Sequence, residues 1–99
     1  MVGVVTWYRF TPDHDIVAST RAWQRAWEAQ AGYRGYRLME LEGEPGRYVT
    51  FGFFDDLEAL AAATKVAYTD PEIQRQGPAW WDDLIEPPDY WPPLDVVVA

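Results

Sequence analysis

Two kinds of apolar pattern alternate along the chain, runs of β-branched and aromatic residues and stretches where apolar side chains return at helical spacing. Val2 to Phe10 is a run of the first kind with no breaker after Gly3, which predicts a strand. Thr11-Pro12-Asp13 then supplies a helix start, with Thr11 or Asp13 as the cap and Asp15 adding negative charge at the N-terminus. Ile16, Thr20, Trp23, Trp27 and Ala31 fall on one stripe, while Arg21, Arg25 and Glu28 fall elsewhere, as in an amphipathic helix. Gly32 ends it. Tyr33 to Glu42 and Arg47 to Phe54 read as two strands joined by the turn Gly43-Glu44-Pro45-Gly46. In the second of these, Val49, Phe51 and Phe53 share one face, and Tyr48, Thr50 and Phe54 the other. Both faces are apolar, so the sheet is expected to be covered on each side.

Asp55-Asp56 caps a further helix with Leu57, Leu60, Ala61 and Thr64 on its stripe. A shorter helical piece runs from Asp70-Pro71-Glu72 to Leu84, with an interruption expected at Gly77-Pro78. The segment Glu86 to Pro93 is too rich in proline for a central strand and delivers the chain to a last strand, Leu94 to Val98. The order strand–helix–strand–strand–helix–strand predicts one α+β domain over residues 1–99, with no internal repeat and no linker.

Composition narrows the function. Six Trp, six Tyr and four Phe are more large rings than a 99-residue core can hide, so some should line a cavity or an interface. A net charge of −8 with one lysine, Lys65, argues against nucleic acid as a partner. The absence of cysteine excludes disulfides, thiolate chemistry and Cys-ligated metal. No stretch reaches the roughly 18 apolar residues of a membrane span. The N-terminus has no basic leader, so the expected location is the cytoplasm.

Ala31-Gly32-Tyr33-Arg34-Gly35-Tyr36-Arg37-Leu38, followed by Gly46-Arg47-Tyr48-Val49 and Phe54-Asp55-Asp56-Leu57-Glu58-Ala59-Leu60, resembles the central signature of the antibiotic-biosynthesis monooxygenase family. That resemblance implies a ferredoxin-like βαββαβ domain with an antiparallel sheet, paired into a dimeric α/β barrel with one pocket per subunit. It also implies a cofactor-independent monooxygenase acting on a polycyclic aromatic polyketide intermediate. A cyclase or isomerase of such an intermediate, or a non-catalytic binding protein, are the other readings of the same fold. The chain has no Asn, and Phe54 stands where family oxygenases often carry Trp. Thr64 and Lys65 lie near the position of the helical His of heme-degrading members, so no heme is expected, and the resemblance to cofactor-free oxygenases implies no other cofactor.

Candidate catalytic residues are Arg9 as anion stabiliser, Tyr68 as hydrogen-bond donor and His14 as base. His14 is the only histidine, but it is flanked by Asp13 and Asp15 and also reads as an exposed helix-start residue. Arg9 and Arg37 either hold an anionic ligand or pair with Glu40, Glu42 or an acid of a second subunit. Trp7, Trp23, Trp27, Phe51, Phe53, Trp80 and Trp81 are the candidate substrate-binding rings. Asp82, Asp83, Glu86 and Asp89 read as solvated surface, and no metal-ligand spacing or nucleophile motif is present.

Overall fold

The computed structural model describes all residues, 1–99. Strand β1 (Val2–Arg9) is followed by helix α1 (Ile16–Glu28), strands β2 (Tyr33–Glu40) and β3 (Arg47–Phe54), and helices α2 (Leu57–Ala67) and α3 (Pro71–Asp83). Two short strands, β4 (Asp89–Tyr90) and β5 (Leu94–Asp95), end the order. β3 pairs antiparallel with both β1 and β2, and β4 flanks β1 on its other edge, giving the order β2-β3-β1-β4. This is the ferredoxin-like arrangement, a split β-α-β unit with a hairpin strand between its parallel members.

Side-chain parity decides what each sheet face meets. Val2, Val4, Thr6 and Tyr8 of β1 lie beside Phe54, Gly52, Thr50 and Tyr48 of β3. On this face Val2 and Phe54 pack with Ala26 and Trp27 of α1 and Leu60, Ala63 and Ala67 of α2, forming the core. The opposite face carries Val5, Trp7 and Arg9 of β1 with Val49, Phe51 and Phe53 of β3. Only the first face is covered by helices, although both are apolar.

The helix boundaries follow local chemistry. Asp15, rather than Thr11 or Asp13, caps α1 by accepting from the Ala18 N–H at 3.1 Å. Thr11 to His14 instead form a turn closed by His14 N–H to the Thr11 carbonyl. Asp56 caps α2 through the Ala59 N–H, leaving Asp55 free to pair with Arg34.

Helix α3 corrects one expectation. It runs unbroken through Gly77-Pro78 for 13 residues. Proline crowds the preceding residue's Cβ and disfavours its helical conformation, and Gly77 has no Cβ to crowd. The C-terminal strand also differs. Leu94–Val98 is ordered as a strand only at Leu94–Asp95, and pairing begins earlier, at Asp89–Tyr90 inside the proline-rich run. β4 and β5 are one edge strand interrupted at Pro92-Pro93, whose nitrogens cannot donate. Trp91 and Val96 supply the bonds on either side, to the carbonyls of Val5 and Met1.

Candidate active site

Between the helix-covered sheet face and α1, α2 and α3 lies a cavity of about 490 Å³. Its floor is made by Val4, Thr6, Tyr8, Tyr36, Thr50 and Gly52, small or hydroxyl-bearing residues that leave room above the strands. Trp23 and Trp27 of α1, Tyr68 at the end of α2, and Trp80 and Trp81 of α3 form its walls. The rings brace one another edge to face. Trp23 meets Trp27 at 5.8 Å and Tyr68 at 5.5 Å, and Trp80 meets Trp81 at 4.8 Å and Tyr8 at 5.3 Å between centroids. Trp27 is wedged further between Tyr36 and Phe54, with its Nε1–H buried and unpartnered, so packing alone sets its ring position.

No Asp, Glu, Lys, Arg or His side chain lines this cavity. Its polarity comes from the hydroxyls of Tyr8, Tyr36, Tyr68, Tyr90, Ser19 and four threonines, and from the amides of Gln74 and Gln76. Burial raises the Tyr8 phenol well above the ordinary tyrosine range, and the neighbouring Tyr36 adds to the rise. Burial likewise pushes Tyr36 up to about 12, against an opposing hydrogen bond with Thr50. Both phenols therefore stay protonated at neutral pH and can donate hydrogen bonds to a ligand oxygen.

One titratable side chain stands directly behind this wall. His14 donates or accepts at Nε2 with the Ser19 hydroxyl at 3.2 Å, and its Nδ1 lies 2.8 Å from Asp83 Oδ2. Its side chain is only 7% exposed, so the exposed helix-start reading does not hold for it. Asp83, expected on the solvated surface, keeps its side chain 37% exposed while pairing with the imidazole. Phe10 stacks on the imidazole with centroids 4.1 Å apart and planes 9° apart.

Of the rings expected to bind substrate, Trp23, Trp27, Trp80 and Trp81 are brought together, with Tyr68 at the cavity edge. Trp7, Phe51 and Phe53 are not, because their strand parity turns them to the uncovered face. Trp7 lies instead in a shallow groove with Leu41, Arg47 and Trp91. Arg9 is exposed on that same side of β1, outside the cavity, and takes part in none of the chain's ion pairs. Arg37 donates to the Tyr36 carbonyl rather than to Glu40 or Glu42. Sequence reasoning missed Tyr8, Tyr36 and Ser19. Their signal was present for the floor, where one strand parity collects Thr6, Thr50 and Gly52 among larger neighbours. No group of three or more His, Cys, Asp or Glu side chains is placed to hold a metal ion.

Neither a protein-family model nor a curated protein matches the sequence. Solved structures do match in shape. A candidate antibiotic biosynthesis monooxygenase from Caulobacter crescentus superposes with a TM-score of 0.71 at 19% identity, over 98% of this chain and 90% of that one. Its counterpart from Nitrosomonas europaea gives 0.69 at 13% identity, over 99% and 100%. The chain shares the fold of the antibiotic biosynthesis monooxygenases. An uncharacterised NIPSNAP domain protein from Burkholderia xenovorans superposes on this chain equally well, with a TM-score of 0.68 at 20% identity over 98% and 95%. The likeness therefore fixes architecture, and the reaction has to be argued from the cavity. No helix is long and apolar enough to cross a membrane.

Proposed function

We propose that this chain is a cofactor-independent monooxygenase that oxidises a polycyclic phenolic compound, such as an aromatic polyketide intermediate. The observation that carries this reading is the cavity, whose flat aromatic walls enclose a volume suited to fused rings and whose polar groups are all neutral, hydroxyls with the amides of Gln74 and Gln76. The fold shared with candidate monooxygenases supports it.

Electron-rich hydroxyanthrone-type rings can carry the redox step themselves. Loss of a proton from the ring methylene gives an enolate, which passes an electron to O₂. Recombination forms a carbon–peroxide bond, and loss of water leaves a new carbonyl with one oxygen atom retained. The protein's share is to hold the ring, exclude water and stabilise the enolate oxygen by hydrogen bonds that are in place before charge develops. Tyr8 and Tyr36 are the buried donors for that oxygen, with Tyr68 at the cavity edge. His14 reaches the cavity through Ser19 as the proton acceptor. The working unit is a homodimer joined through the uncovered sheet face, where Met39 is 49% exposed beside half-buried Trp7, Phe51 and Phe53.

The lack of an acid or base on the cavity wall itself favours a second reading, a cyclase that acts by imposing shape on a flexible chain. Oxygen uptake by purified protein with a hydroxyanthrone, with product masses recorded, separates the two. The oxygenase reading expects uptake above the uncatalysed rate and one oxygen atom gained in the product. Ring binding without uptake sinks it and moves the weight to the cyclase or to a non-catalytic binding role.

A further inference from the structure

Ser19 and His14, five residues apart, and Asp83, 69 residues beyond His14, stand in line, nucleophile to base to orienting carboxylate. Ser19 Oγ lies 3.2 Å from His14 Nε2, and His14 Nδ1 lies 2.8 Å from Asp83 Oδ2. We propose that these three residues form an acyl-transfer site, with Ser19 as nucleophile, acting on small aryl esters whose ring stacks in the aromatic cavity. This does not rest on the oxygenase reading, because it needs neither O₂ nor an oxidisable ring.

Three features go beyond chance proximity. Ser19 lines the cavity, so a bound ligand can meet its hydroxyl, whereas His14 and Asp83 do not and stay behind it. The imidazole is fixed from several sides, stacked on fully buried Phe10 and bonded at both ring nitrogens. The backbone that carries the carboxylate is anchored. Thr11 N–H donates to the Asp83 carbonyl at 2.9 Å, Ile85 N–H donates to the Arg9 carbonyl at 2.8 Å, and Phe10 bridges Leu84. The end of α3 is thereby tied to the end of β1 and the turn that carries His14. Holding a base in one orientation against its nucleophile is what such a relay requires, and no contiguous sequence motif is needed for it.

Three acceptors compete for the Ser19 hydroxyl hydrogen, His14 Nε2 and the Ile16 carbonyl, both at 3.2 Å, and the Asp15 carbonyl at 3.5 Å. With Asp83 accepting from Nδ1–H, Nε2 is left as the free base. In the reaction Ser19 Oγ forms a bond to the acyl carbon as its proton passes to Nε2. The ester C–O bond then breaks, and Nε2 returns the proton to the departing phenolate. Water repeats the sequence to release the acid and restore the serine. The hydroxyls of Tyr8, Thr6 and Thr20 line the same cavity and are the donors available to the tetrahedral oxyanion.

Ser19 is the only serine in the chain and there is no cysteine, which makes covalent labelling easy to read. The test treats the full chain with diisopropyl fluorophosphate, maps the adduct by mass, and follows 4-nitrophenyl butyrate hydrolysis in parallel. One adduct per chain on Ser19 is expected, with none in S19A. Hydrolysis should fall about 100-fold in S19A and H14Q and at least about tenfold in D83N, with melting temperature unchanged in D83N. A purely structural cluster predicts the reverse for D83N, lowered melting with no specific loss of rate. Absence of label on the folded wild-type protein overturns the proposal, even should H14Q fail to fold. So does an adduct on a tyrosine or Lys65, or hydrolysis by S19A at the wild-type rate.

Discussion

The indole of Trp27 rests directly on the backbone of Gly52. A Cβ at position 52 would fall 2.3 Å from the Trp27 ring carbon Cζ3 and 3.1 Å from Cε3. Trp27 therefore owes its place to a missing side chain on the central strand, and the cavity floor owes its shape to the pair. Gly52→Ala should destabilise the fold by about 1–3 kcal/mol through overpacking. Urea unfolding measures this directly, and an unchanged midpoint would mean that the indole has somewhere else to go.

Buried phenols make stability depend on alkaline pH. Tyr36 titrates at about 12 in the folded protein against 10.0 when unperturbed, and Tyr8 is raised further in the same direction. Below pH 10 both states hold the proton and the contribution is complete. As pH rises from about 10 towards 12 the unfolded chain ionises first, so the native state loses about 1.4 kcal/mol per pH unit for each such tyrosine. Melting temperatures from pH 8 to pH 11.5 should fall above pH 10, and Tyr36→Phe should flatten that fall. A flat wild-type profile would contradict the burial of these hydroxyls.

Aromatic ligand binding should be visible in tryptophan emission, because Trp23, Trp27, Trp80 and Trp81 all line the cavity. Trp81 is 59% exposed on a helix with no buried residue, so its removal costs little stability. Trp81→Ala should weaken binding of a tricyclic hydroxyanthrone about three- to tenfold, the worth of one ring–ring contact. Quenching titrations read the change, and equal affinities would remove Trp81 from the binding wall.

Dimerisation through the uncovered sheet face makes its own prediction. Met39→Glu places a charge on the outer strand β2 of that face, beside Val49, without touching the helix side. Light scattering at micromolar concentration should find a wild-type dimer, with the variant's dissociation constant raised about thirtyfold, equivalent to about 2 kcal/mol. A monomeric wild-type protein would dispose of the homodimer.

Much of the architecture was legible because local signals agreed with one another. The Asp56 cap, the Gly43-to-Gly46 turn and the Trp23/Trp27 stripe each point to the element that forms. What parity could not reveal was which sheet face takes the helices, since Val49, Phe51 and Phe53 are as apolar as the face that is covered. The candidate rings Trp7, Phe51 and Phe53, and the candidate anion stabiliser Arg9, stand on the side of the sheet away from the cavity. The covered face is the one with the smaller residues, Thr6, Thr50 and Gly52, because indoles and a cavity need space above the strands. Asp83 and His14 lie 69 residues apart, and only the closure of α3 against β1 joins them, a tertiary fact with no local trace.

Helix α3 supplies much of the cavity wall and yet contains no fully buried residue, with Pro78 inside it. Its attachment to the rest of the molecule is lighter than that of α1 or α2, whose alanines and Trp27 or Leu60 sit in the core. Regions with few buried apolar contacts open at a fraction of the free energy of global unfolding. The route to the rings therefore passes along the lightly buried α3 rather than through the whole domain. Solvent exchange should reach the amides of α3 long before it reaches those of β1 and β3.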